Sequence, residues 1–205
     1  MTGAVIWWLV ISSLAVIVVR RRSWAIVLVG SQSIGLGIYA LTHEPAGSAA
    51  PVVTGTILIA KALVLPALLL LTVRRARKTG LIATEPPALA RLAIVVSMAL
   101  AVELLIPRFG LPDASVEHAA VGVLALGILV AVVRRAVLFQ ALGFLIAENG
   151  IYLAGLSLSA GLPAFIELGL VFDLVVIVSV AAAFAAKIHE QLGSGDSSLL
   201  EALRD

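Results

Sequence analysis

The stretch Ala147-Glu148-Asn149-Gly150-Ile151-Tyr152-Leu153-Ala154-Gly155-Leu156-Ser157-Leu158 puts a carboxylate and an amide inside an otherwise apolar segment of membrane length. A second apolar segment follows at once and carries Glu167 and Asp173. An ionisable side chain at the centre of a bilayer costs at least ~2.5–3.5 kcal/mol on insertion scales. Three such groups in adjacent helices point to an ion path or a charge network.

Working outward, the composition agrees with a membrane interior. The 205 residues are 61% hydrophobic and 13% charged, with a mean hydropathy of +1.15. A soluble domain of this length could not hide so much apolar surface, whereas several spans of about 20 residues account for it. The chain has no cysteine, which excludes iron–sulfur ligation, thiolate catalysis and structural disulfides together. His43, His118 and His189 fall in loops or at segment ends, so no pair of haem ligands lies in the apolar core. The expectation is a chain without metal, cofactor, catalytic group or nucleic-acid partner. Its main surroundings are the lipid bilayer.

Seven apolar segments can be drawn, at about Val5–Val19, Trp24–Leu41, Val52–Val73, Leu89–Ile106, Val116–Val133, Val137–Leu158 and Pro163–Ala186. Backbone polar groups in lipid must be satisfied internally, and the aliphatic runs lack the alternation of barrel strands, so each segment reads as a helix. The fold class expected is an all-α integral membrane protein with seven spans. The first segment is short enough for a signal peptide, but its basic residues follow the apolar run instead of preceding it. It reads as a retained helix.

The basic residues sort by loop. Arg20–Arg22, Arg74, Arg75, Arg77, Lys78, Arg91, Arg134, Arg135, Lys187 and Arg204 fall on one side; the alternate loops hold Arg108 alone, and Lys61 lies within a span. The positive-inside rule then places the N-terminus outside and the C-terminus in the cytoplasm of a prokaryotic inner membrane. The breaker Thr84-Glu85-Pro86-Pro87 separates the third and fourth spans. The chain turns polar at Gly193-Ser194-Gly195-Asp196, and Ser198-Leu199-Leu200-Glu201 resembles a capping box.

The chain also repeats itself at an offset of 113 residues. Arg21-Arg22, Gly30 and Gly37-Ile38-Tyr39 match Arg134-Arg135, Gly143 and Gly150-Ile151-Tyr152 without a gap. This spacing predicts two copies of a three-helix unit in the same orientation, joined by the fourth span. The organisation is then residues 1–78 for the first unit and 79–115 for the cytoplasmic link and fourth span. Residues 116–190 form the second, acidic unit, and 191–205 the cytoplasmic tail. In the repeat, Glu148 corresponds to Gly35 and Asp173 to Lys61.

The charges within the spans differ in depth. Glu148 lies about 20 Å along its helix from Arg135 at 1.5 Å per residue, near or just past mid-bilayer. Asp173 and Lys61 fall in a similar layer, whereas Glu167 and Glu103 lie toward the outer boundary. A locking ion pair is an alternative for Lys61, and simple contact with the outer interface is one for Glu103 and Glu167. For Glu148 and Asp173 the expectation is proton loading and release, because one lysine cannot compensate several acids and burial favours a carboxyl's neutral form. Asn149 would support Glu148 from the adjacent position. Glu167 and Asp173 sit roughly 120° apart around their helix and cannot share a face. Pro66 should kink the third span, and Gly143, Gly150, Gly155 and Gly161 allow close helix contact around Glu148.

Gly143-Phe144-Leu145-Ile146-Ala147-Glu148-Asn149-Gly150-Ile151-Tyr152-Leu153-Ala154-Gly155-Leu156, with Leu162-Pro163, Glu167-Leu168-Gly169, Phe172-Asp173 and Val175, resembles the hydrogenase-4 component E (HyfE) family. The Arg-Arg and glycine spacing is also similar to subunit K of respiratory complex I and to the C subunit of Mrp-type antiporters. The match covers about 134–186. Subunit K carries its first intramembrane glutamate at the position of Leu145, and here Glu148 follows nearly one turn later. The resemblance implies a small, non-catalytic subunit of an energy-converting hydrogenase or formate hydrogenlyase-type complex. It would lie beside antiporter-like membrane subunits, with buried acids forming a link in a proton or sodium path and with no cofactor of its own. A free-standing small secondary transporter and a purely structural membrane anchor are the two other classes open at this point.

Overall fold

A computed structural model describes residues 2–43, 60–64, 66, 67, 69, 87–105, 113–134 and 136–156. They are helical, with no strand among the described residues. The helices are α1 (Thr2–Val18), α2 (Arg22–His43), α3 (Ala88–Leu105), α4 (Ala114–Val133) and α5 (Val137–Leu156), with a π-helical turn at Ala60–Val64 between α2 and α3. The helices at Arg22–Leu41, Ala114–Val133 and Leu138–Gly155 are long and apolar enough to cross a membrane, and Gly3–Val18 and Ala88–Val102 are shorter apolar helices. The chain is therefore a helical protein of membrane type. Five of the expected spans coincide with α1–α5 to within a few residues at each end. The seventh, the body of the third apart from its π-helical turn, and the cytoplasmic tail with its capping box lie outside the described residues.

Apolar side chains cover both the inside and the outside of the bundle. Leu9, Ile17, Ile26, Leu36, Leu142, Ile146 and Leu153 are buried, while Trp7, Trp24, Leu89, Leu104, Leu105 and Val132 are exposed. Helices that are apolar on every face suit a hydrocarbon surround, where an outward leucine loses nothing.

Two tight helical hairpins form the body. The first pairs α1 with α2, and the second pairs α4 with α5. They pack side by side, α1 against α4 and α2 against α5, with α3 against α1 and α4. Arg134, the C-cap of α4, is 1% exposed and donates from Nη1 to the carbonyls of Ile17 (3.0 Å) and Val19 (3.3 Å) at the end of α1. Its guanidinium lies 3.4 Å from the centroid of the Phe139 ring. The last carbonyls of a helix have no intrahelical donors and carry its negative pole, so a cation there satisfies both needs. The contact also shows that α1 and α4 end at the same level, so the hairpins run in the same direction. Arg134 and Arg91, two of the basic residues counted for the topology, are both buried. Arg134 sits at the turn of its hairpin, within reach of the end of α1 in the neighbouring hairpin.

Within the second hairpin the helices touch backbone to backbone. A Cβ added to Gly127 would meet the backbone of Ala147 and, at 2.6 Å, the Gly143 carbonyl. One added to Gly143 would lie 2.6 Å from the Ala131 amide, and one on Gly150 would lie 2.6 Å from the Leu124 amide. Gly143, Ala147 and Gly150 follow one another at helical spacing, so the close approach expected there is present and defines the α4–α5 seam. Gly155 is buried as well, and Gly161 lies outside the described residues. Gly30 has a different neighbour from Gly143, the glycine its spacing matches. Its added Cβ would lie 3.2 Å from Pro66 Cγ and 3.8 Å from the Ala62 carbonyl. Pro66 cannot donate to that carbonyl four residues earlier, and the backbone just before it is a π-helical turn, the expected accommodation of a proline inside a span.

Candidate functional site

The centre of the bundle is polar. Ser12, Ser13, Gln32 and Asn149 are all buried, at 1%, 0%, 0% and 1% exposure, and they come from three helices. The sequence places Ser12 and Ser13 about two thirds of the way along α1, where each hydroxyl can reach back to a carbonyl of the preceding turn. Ser12 Oγ donates to the Trp8 carbonyl, and Ser13 Oγ donates to the Leu9 carbonyl at 2.7 Å. Such back-bonding satisfies a hydroxyl in an apolar helix and leaves its lone pairs open.

Those lone pairs receive Gln32 of α2. Gln32 Nε2 donates to Ser12 Oγ at 2.8 Å and to Ser13 Oγ at 2.9 Å, with the Leu9 carbonyl at 3.2 Å sharing the second hydrogen. Because both hydroxyl protons are already committed, only the amide nitrogen of Gln32 fits toward α1, and its carbonyl must face the other way. Asn149 Nδ2 of α5 donates to that carbonyl oxygen at 3.2 Å. The chain of donors therefore runs in one direction, from α5 through α2 to the backbone of α1. A net hydrogen bond contributes about 1 kcal/mol, but an orphaned buried amide costs about 1–3 kcal/mol, so this line strongly prefers its one arrangement.

Glu148 precedes Asn149 on α5. It is half-buried and its Oε2 is closed off from the surroundings. The helix turns by about 100° per residue, so with Asn149 held in the α2 seam Glu148 occupies the neighbouring strip of the same helix. The structure thus joins one of the expected site residues, Asn149, to a polar line that the sequence reading did not include, with Glu148 next to it along α5. Gln32 had a visible signal as an amide in the middle of an apolar helix, and the Ser12-Ser13 pair had a weaker one.

The other expected site residues are distributed otherwise. Lys61 belongs to the π-helical turn and Glu103 to α3, and the side chains of both lie outside the described residues. Glu167 and Asp173 lie outside the described residues altogether. Among the described residues, no three His, Asp or Glu side chains lie close enough together to hold a metal ion.

A second acidic feature was not anticipated. Glu117, in the first turn of α4, is 4% exposed. The N-terminal turn of a helix favours a carboxylate through its open amides and dipole. Asp113 caps the same helix, accepting from the Ser115 amide at 2.8 Å and the Ser115 hydroxyl at 2.6 Å. The Ser115 hydroxyl above all, then the Ser115 and Val116 amides, hold the Asp113 carboxyl below the usual carboxylate range.

No family model matches the chain, and no solved structure matches it. A protein of Mycobacterium tuberculosis, the uncharacterized protein Rv0085, is 33% identical over 87 residues. That stretch is 42% of this chain, and it spans only 40% of the length of the Mycobacterium protein.

Proposed function

We propose that this chain is a small, non-catalytic integral subunit of a redox-driven, ion-translocating membrane complex of the energy-converting hydrogenase or formate hydrogenlyase type. Glu148 is the proton (or sodium) relay site within it. The observation that supports this most is a half-buried carboxylate on a membrane-length apolar helix, adjoining a buried line of amides and hydroxyls that crosses to two further helices. A bundle that needed only packing would gain more from leucines at these positions, because polar groups in hydrocarbon are costly and mark pathways. Asp173, Glu167, Lys61 and Glu103 extend the path toward antiporter-like neighbours. The full chain has seven spans built as two like-oriented three-helix units, with the N-terminus outside and the C-terminus in the cytoplasm of the cell membrane.

The test uses the complex isolated through this chain and reconstituted in proteoliposomes. Glu148→Gln should leave the complex assembled and abolish or strongly slow ion pumping, since the amide keeps the shape and loses the proton site. Asp173→Asn should behave alike if the two groups share a path. Wild-type pumping by a fully assembled Glu148→Gln complex would remove the relay role. Isolation of the chain with no companion subunit would favour a free-standing transporter.

A further inference from the structure

We propose that Gln32 is a positioning residue for Glu148: through Asn149 it fixes the rotation and height of α5 so that the carboxylate is presented at one defined place in the bundle. The inference rests on the relay reading above only for its functional consequence; the positioning itself follows from geometry.

The two ends of the line are anchored differently. At the α1 end, Ser12 and Ser13 are tied to backbone carbonyls of their own helix, so their oxygens are fixed points. Gln32 binds both of them with one amino group, which leaves its side chain little freedom. At the α5 end the bond from Asn149 Nδ2 to Gln32 Oε1 links that fixed amide to the helix carrying Glu148. Elsewhere the α4–α5 seam is made of glycines and alanines. The small residues fix how closely α5 approaches α4, and the polar line adds a directional tie from α5 to α2 and α1. A side-chain amide pair demands that both residues sit at the same level, and a slip of one residue would turn Asn149 by about 100° out of reach.

Removing Gln32 has an asymmetric effect. Gln32→Leu leaves both serines satisfied by their own carbonyls but removes the acceptor that Asn149 Nδ2 finds on α2. Gln32→Leu/Asn149→Leu removes both ends of that bond, and paired apolar replacement is close to neutral for stability. A packing role and a positioning role therefore separate in the double variant.

The experiment uses the full chain in lipid nanodiscs. The readout is the carboxyl infrared signature of Glu148, assigned as the band that Glu148→Gln removes, alongside thermal unfolding. Gln32→Leu should lower the unfolding midpoint, and the double variant should restore it. In the double variant the Glu148 band should nevertheless be displaced or broadened relative to wild type, and pumping by the assembled complex should fall about fivefold, the factor that matches loss of one net hydrogen bond. An unmoved Glu148 band in a stably folded double variant would overturn the proposal and leave the polar line as packing alone. A displaced band with Glu148→Gln pumping like wild type would sustain the positioning and sink the relay instead.

Discussion

Replacing Arg134 tests how the two hairpins are held together. The guanidinium makes two charge-assisted hydrogen bonds, to the Ile17 and Val19 carbonyls, and stacks on Phe139. Hydrogen bonds from a charged group contribute about 1.5–3 kcal/mol each, with the longer one at the low end, and a desolvated cation–π contact adds about 1–2 kcal/mol. Against this stands the cost of holding a guanidinium at 1% exposure, which Arg134→Met would relieve. Methionine keeps the apolar stem but leaves both carbonyls without that donor at the end of α1. The relief offsets about half of the loss, so the net destabilisation should be about 2–3 kcal/mol. Arg134→Lys should lose about 1–2 kcal/mol, because an ammonium keeps the charge but neither the planar stack nor the second donor in the same geometry. Phe139→Leu should lose about as much by removing the stack alone. The measurement is reversible unfolding of the full chain in mixed micelles by a denaturing detergent. Arg134→Met within about 0.5 kcal/mol of wild type would refute the clasp, because it would mean that desolvation cancels the bonds completely.

Three further outcomes follow from the same geometry. Gly127→Ala should destabilise the fold by about 1–3 kcal/mol or prevent folding, since its Cβ would fall on the Ala147 backbone, whereas Gly122→Ala, with nothing within 4 Å, should gain up to about 1 kcal/mol from helix propensity; equal unfolding midpoints for the two variants would refute the close seam. Asp113 has a depressed carboxyl in the folded state, so its cap stabilises α4 fully above the unfolded carboxylate value of about 3.9 and loses that effect as pH falls through the lower folded value. Asp113→Ala should flatten the stability–pH curve in that acidic window, and an unchanged curve would count against the cap. Reporter fusions at Gly47 and Gly161 should read as external and those at Thr79 and Gly193 as cytoplasmic, and a cytoplasmic signal at Gly161 would overturn the proposed seven-span topology.

Much of the architecture was legible in one dimension. Hydropathy alone located α1 to α5 within a few residues, because a helix in lipid must be apolar along its whole length and its ends are where the polar residues resume. Gly143 and Gly150 announced a close contact by their spacing, and Pro66 announced a disturbed helix. Glu148 stood out because a carboxylate in such a run is costly wherever it points.

What composition and spacing could not decide is which residues meet. Glu117 escaped notice because it sits one turn inside α4, where sequence cannot tell an interfacial carboxylate from a buried one. Arg134 belongs to an Arg-Arg pair that any loop rule assigns to solvent, and only the side-by-side packing of the hairpins turns it into the cap of α1. The Arg-Arg and glycine spacing did suggest equivalent elements, yet Gly30 packs on Pro66 while Gly143 packs on α4. The polar line from Asn149 through Gln32 to Ser12 and Ser13 joins residues more than 100 positions apart across helices α5, α2 and α1. Asn149 and Gln32 each stand out as an amide in an apolar helix, but neither helix by itself says which partner the amide finds. Local chemistry therefore determined where the helices lie and that one carries an acid. The partner of each polar group was decided by the tertiary structure, because a hydrogen bond depends on distance and direction in space, and neither is encoded by position along the chain.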